Sequence, residues 1–290
     1  MTETDPQYQA TTDFEVRKVP YPNIKRIVTL FFILLLIEVL VAIPTGFILA
    51  VFPHISPLLK SFLNTILYIV SMLLIINYAL GKSKQQQGYT TSINFARIQG
   101  WLVPVIIIGT LSLIVPLTWL SDLIPMPNAF KKMFEGMFTK DAVSIATVSI
   151  AAPIMEEVLC RGIILKGLLK NYSPFKAIFI SAIFFSVIHL NPWQALPALI
   201  GGLYMGWVYY KTQSVIPGII IHATINFTAS MLLFLPGPEQ DLSTFIGMNY
   251  YILALVASGI IFAAICIVIH KKAEAGSVSV FNRNYQPNPT

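Results

Sequence analysis

Three stretches of the sequence set ionisable or amide side chains among apolar neighbours. AAPIMEEVLCRGIIL holds Glu156, Glu157 and Arg161, FFSVIHL holds His189, and PGIIIHATINF holds His222 and Asn226. Such groups are costly in apolar surroundings, so each requires an explanation. Helical spacing divides the first set. Glu157 and Arg161 are four apart and share a face, which suits a buried ion pair, whereas Glu156 points about 100° away and is left for another partner. His222 and Asn226, again four apart, share a face of their own. A carboxylate shielded from bulk solvent pulls strongly on the proton of a nearby water. Glu156 with His189 can thus activate water as general base and return the proton as general acid. His222 and Asn226 offer donors to the oxyanion that forms when water attacks a carbonyl. No Ser or Cys nucleophile sits at the centre of this group. Cys160, four residues from Glu156, reads as a small packing residue.

The elements that must position these residues are apolar. Of 290 residues, 56% are hydrophobic and only 11% charged, with a mean hydropathy of +0.72. Soluble domains carry about 25% charged residues, so the solvent for most of this surface is lipid. The net charge of +6 is spread through short gaps between apolar runs, a membrane-protein pattern that excludes nucleic acid as a partner. Spanning the hydrocarbon takes about 20 apolar helical residues. Eight runs are candidates: 27–52, 58–80, 99–121, 142–165, 174–190, 195–210, 214–235 and 248–270. The expected fold is therefore all-α and polytopic, with about eight transmembrane helices. Its parts are a polar tail at 1–26, three spans and an interfacial segment within 27–141, a core at 142–235, an eighth span within 236–270, and a polar tail at 271–290. The interfacial segment rests on Pro125, Pro127, Phe130, Met133, Phe134 and Phe138. The tails read as mobile, and the first run as an uncleaved signal anchor.

The basic residues test the count. With the N-terminus inside, the inner segments hold Arg17, Lys18, Lys25, Arg26, Lys82, Lys84, Arg97, Lys166, Lys170, Lys176, Lys211, Lys271, Lys272 and Arg283, and the outer ones only Lys60, Lys131, Lys132 and Lys140. That bias predicts eight spans with both termini cytoplasmic. Counting 1.5 Å per residue from the nearest inner lysine places Glu156 about 15 Å deep, His189 about 20 Å, and His222 and Asn226 about 17 and 23 Å. Four polar groups on three helices thus share one layer, as a single site requires.

At these residues the sequence resembles the CAAX protease and bacteriocin-processing family, also called CPBP or Abi, the group of the type II CAAX prenyl endopeptidases. Its motifs EExxxR, FxxxH and HxxxN appear in order as Glu156-Glu157-xxx-Arg161, Phe185-xxx-His189 and His222-xxx-Asn226, within about 142–235. The resemblance implies an intramembrane endopeptidase of the cell membrane, with residues matching Glu156 and His189 activating water and those matching His222 and Asn226 forming the oxyanion hole. Its implied partners are the bilayer and a peptide or lipidated protein substrate. The family has also been described as metal-dependent. Glu156, His189 and His222 could bind zinc, although the oxyanion role needs no metal and no HExxH occurs, so the metal-free reading is preferred. Glu157, Arg161 and Phe185 read as supporting residues. The Gly202/Gly206 spacing reads as close helix packing, and Glu38, alone in the first run, as a packing or substrate-path residue. The competing readings are a catalytically silent scaffold or immunity protein of the same fold and, from another class, a proton-coupled transporter. The transporter reading lacks the inverted repeats and paired broken helices that such proteins carry.

Overall fold

The computed structural model describes residues 19–122, 127, 140–232 and 247–281, and within them every regular element is helical. The interfacial segment expected within 122–141 falls almost wholly outside them, as do residues 1–18 and 282–290. Among the described residues eight helical segments follow one another: α1 (Ile24–Val51), α2 (Pro57–Gln87), α3 (Leu102–Asp122), α4 (Ala142–Asn171), α5 (Pro174–Val187), α6 (Pro192–Thr212), α7 (Ile216–Leu232) and α8 (Met248–Phe281). Five of them, α1, α2, α3, α4 and α8, are long and apolar enough to cross a membrane, and α5 and α7 are shorter apolar helices. The 21 residues of α6 have the length but not the hydropathy. Large apolar side chains such as Phe32, Leu36, Ile43 and Phe47 on α1, and Leu253 and Ile260 on α8, face outward. An exterior of this kind belongs in lipid, where burial among lipid tails replaces burial in a core. The protein is a multi-pass membrane protein.

Short polar signals set the ends. Ser56, Ser173 and Asn191 each precede a proline that occupies the first helical position, where its missing N–H costs nothing. Asn191 accepts from Trp193 N, and Asp141 opens α4 by accepting from Val143 N and Ser144 N. Helix α2 outruns its apolar stretch because Gly81–Gln87 continues in lysine and glutamine, which are good helix formers, until Gly88 adopts φ 84°. The first tail is shorter than 1–26, since Lys25 and Arg26 belong to the first turn of α1. Residues 20–23 are packed, which corrects the expectation of mobility for them. Tyr21 is buried, its N–H reaches Gln87 Oε1, and Asn171 Nδ2 donates to Pro20 O. A Cβ on Gly167 would collide with Tyr21 O and Pro22, so this glycine lets the segment lie against α4. Helix α8 likewise continues through Phe281, into the stretch read as a tail.

The site is framed by α2, α4, α5, α6 and α7. Helices α5 and α6 pack closely, with Gly202 and Gly206 facing α5. A Cβ on Gly202 would meet Ala182 Cα at 3.2 Å, and one on Gly206 would meet Ile178 Cγ2 at 3.1 Å. The small residues thus bring two backbones together. Helix α7 packs on α3, α4 and α6, and α2 on α4.

Candidate active site

Both glutamates lie on α4, whose backbone leaves the α-helical ladder twice. Thr147–Ala151 and Val158–Leu165 are π-helical, and Glu156 and Glu157 end the α-helical stretch between them. Wide turns of this kind occur often at functional sites. The first has a chemical consequence. The N–H of Ala152 bonds to Thr147 O, and Pro153, the next candidate donor along the π ladder, has no N–H. Val148 O is thereby released from the helix and accepts instead from Asn226 Nδ2 at 2.9 Å. A carbonyl can only accept, so the amide nitrogen faces it, and one N–H of Asn226 stays available.

Glu157 and Arg161 form the pair that their spacing suggests. Arg161 Nη1 lies 2.5 Å from Glu157 Oε1 with both side chains wholly buried, and Nη2 donates to Gly202 O at 3.0 Å. The guanidinium also stacks over Phe185, 4.8 Å from the ring centre. Gly218, one turn before His222, leaves the space that Glu157 fills, since a Cβ there would strike Glu157 Oε2.

Glu156 points elsewhere. Its Oε1 accepts from Tyr68 Oη at 2.9 Å, and Oε2 is buried without a hydrogen bond from the protein, 3.9 Å from His222 Nε2. His222 is buried between the two carboxylates, with Nδ1 3.4 Å from Glu157 Oε1. Phe185 joins the histidines, its ring meeting His189 edge-on at 5.0 Å and His222 at 5.3 Å. His189 lies just past the end of α5 and not within a span. Leu190 after it adopts φ 52°, a left-handed conformation uncommon for a branched residue, and Asn191 then starts α6. The Nδ1 of His189 sits 2.7 Å from Phe185 O. Because that partner only accepts, Nδ1 carries the proton in the neutral ring and Nε2 keeps its lone pair.

Glu156, Glu157, Arg161, Phe185, His189 and His222 are therefore joined in one run of contacts. His189 reaches Glu156 through no direct hydrogen bond, and Asn226 touches the backbone of α4 instead of the carboxylates. Cys160 is fully buried in the apolar core, as a packing residue is. Glu38 on α1 is exposed, yet within electrostatic reach of Glu156 and Tyr68. Tyr68 is the residue the motifs miss. Its signal was the polar stripe Ser61, Thr65, Tyr68 on one face of an apolar helix. Beside this stripe an open apolar groove of about 550 Å³ runs along α4 from Ala142 to Met155, with Thr65 as its α2 wall.

A catalytic zinc takes three protein ligands at about 2 Å. Among the described residues no three His, Cys, Asp or Glu side chains gather into such a set. Glu156, His189 and His222 are not grouped as such a set.

Residues 138–228 match the family described as type II CAAX prenyl endopeptidase Rce1-like. This core carries the chain's similarity to the CAAX protease and bacteriocin-processing family. The match runs from the start of α4 to within α7 and includes every motif residue, from Glu156 to Asn226. The chain is also 27% identical to the UPF0177 protein YxdF of Lactococcus lactis over 136 residues, which is 46% of this chain and 68% of that protein. No solved structure matches it. At the level of the family, the match supports an intramembrane protease of the CAAX type. Helices α1, α2 and α3, together with α8, lie outside the matched core.

Proposed function

We propose that the chain hydrolyses a peptide bond of a membrane-associated or lipidated substrate, with Glu156 as the group that activates water. The observation that carries this reading is the meeting of Glu156 on α4 with His222 on α7, joined through Phe185 to His189 at the end of α5. Glu156 Oε2 is an acceptor with no claim on it from the protein, which a bound water requires. Water bound there gives a proton to the carboxylate as its oxygen bonds to the carbonyl carbon, and the carbonyl π electrons move onto oxygen. His222 Nε2 and the remaining N–H of Asn226 serve as donors to that oxyanion. Collapse of the intermediate breaks the C–N bond, and the proton held by Glu156 passes to the leaving nitrogen. His189, with Nε2 free to accept, assists the first proton transfer through water.

The groove beside Met155 supports a substrate that arrives from the bilayer, because it is apolar and open at the side of the bundle. The metal-free route is part of the proposal, as are the cell membrane as location and both termini on the cytoplasmic side. The test is cleavage of a fluorescence-quenched farnesylated peptide and of an apolar single-span peptide in proteoliposomes. Glu156→Ala should abolish cleavage of whichever is used, and unchanged cleavage by that variant would refute the mechanism.

A further inference from the structure

We infer that Tyr68, on a helix outside the family-matched core, is a positioning residue that decides which oxygen of Glu156 does the chemistry. The inference rests on the reading of Glu156 as the water-activating carboxylate. A free carboxylate has two equivalent oxygens and a side chain with three rotatable bonds. Here the Tyr68 hydroxyl donates to Oε1 at 2.9 Å, which leaves Oε2 as the oxygen that faces His222 Nε2. A hydrogen bond from a neutral donor to a charged acceptor is among the stronger ones, and surroundings poor in water strengthen it further.

The tyrosine is itself held in place. Ser61, Thr65 and Tyr68 occupy one face of α2, and each bonds to α4. Ser61 Oγ donates to Asp141 Oδ2 at 2.5 Å, and Thr65 Oγ1 and Thr147 Oγ1 are 2.6 Å apart. Tyr68 is the deepest of three rungs between the two helices, so the position of α2 is transmitted to the Glu156 carboxylate. Helix α2 is thereby more than a generic span, since the aim of the proposed base depends on it. Ser61 and Thr65 make the register, and Tyr68 uses it.

The full-length protein in proteoliposomes tests this with Tyr68→Phe, which keeps the ring and removes only the hydroxyl. With the farnesylated quenched peptide as probe, kcat should fall about ten- to a hundredfold while KM stays within about twofold. The melting temperature should stay near that of the wild type. The infrared carboxylate band that Glu156→Gln deletes should shift in Tyr68→Phe, whether or not the probe is cleaved. An unmoved band, or a moved band with wild-type kcat, overturns the role of Tyr68. If Glu156→Gln itself cleaves normally, the proposed mechanism fails, and the role of Tyr68 in it fails with it. If the wild type leaves the probe intact, the infrared band alone decides.

Discussion

Adjacent glutamates with opposite duties can be separated by one pair of substitutions, Glu156→Gln and Glu157→Gln. Each removes a single negative charge and keeps the shape of the side chain. Glu157 shares a wholly buried pair with Arg161, which among the described residues has Gly202 O and the face of Phe185 as further support. Removing one member of a buried pair leaves a charge without compensation, at a cost of about 3–5 kcal/mol. On the scale of folded domains of similar size that lowers the melting temperature by roughly 6–20 °C. Glu156 is less deeply enclosed, with 15% of its side chain exposed, and the amide oxygen of a glutamine can still accept from Tyr68. Its substitution should cost less than about 1 kcal/mol in stability, yet lower kcat by about 10² to 10⁴ through loss of the base. Thermal unfolding in detergent and cleavage in proteoliposomes measure the two quantities on the same preparations. If Glu157→Gln melts with the wild type, the buried pair is not a structural support. Equal stability losses in the two variants would remove the division of labour altogether.

Three further outcomes follow from the same geometry. Gly218→Ala drives a Cβ into Glu157 Oε2, so it should lower the melting temperature by several degrees, a cost of about 1–3 kcal/mol; an unchanged temperature would show that Glu157 moves aside freely. Asn226→Ala strands Val148 O and removes a proposed oxyanion donor, costing about 1–3 kcal/mol in unfolding and about 10²–10³ in kcat. A variant that lost rate alone would contradict the contact with the backbone of α4. Exhaustive chelation should leave proteoliposome cleavage intact, and loss of activity that zinc restores would refute the metal-free proposal.

Much of this arrangement was readable from spacing alone, because a helix converts sequence separation directly into direction. The separation of Glu157 from Glu156 is of this kind, and so is the close contact at Gly202 and Gly206, where the absence of a Cβ is itself the signal. What stayed hidden depends on which helix lies beside which. Tyr68 is 88 residues from Glu156, and nothing in the pattern of α2 names its partner. The place of His189 at the mouth of a turn was also hidden, since an apolar run does not stop where its helix does. The left-handed Leu190 carries none of the glycine or asparagine that announces such a turn. The ends of α2 and α8 were missed for the converse reason, as polar helix formers extend a helix beyond its apolar stretch.

The π-helical turns mark the limit of periodicity as a guide, and they tie the first motif to the third. Counting at 100° per residue treats α4 as a uniform cylinder, but its ladder widens just before and just after the glutamates. The cause of one unsatisfied carbonyl is local, since Pro153 cannot donate, whereas its partner is 78 residues away on α7. Asn226 therefore reads the backbone of α4 two turns ahead of Glu156, while His222 on the same face of α7 meets the glutamate side chains. Two contacts about 6 Å apart along α7 fix both the depth and the rotation of α4, and thereby the direction in which Glu156 projects. On this account the HxxxN spacing has a structural reason independent of catalysis. A proline moved from 153 would release a different carbonyl, and Asn226 would face a backbone group already bonded within its own helix.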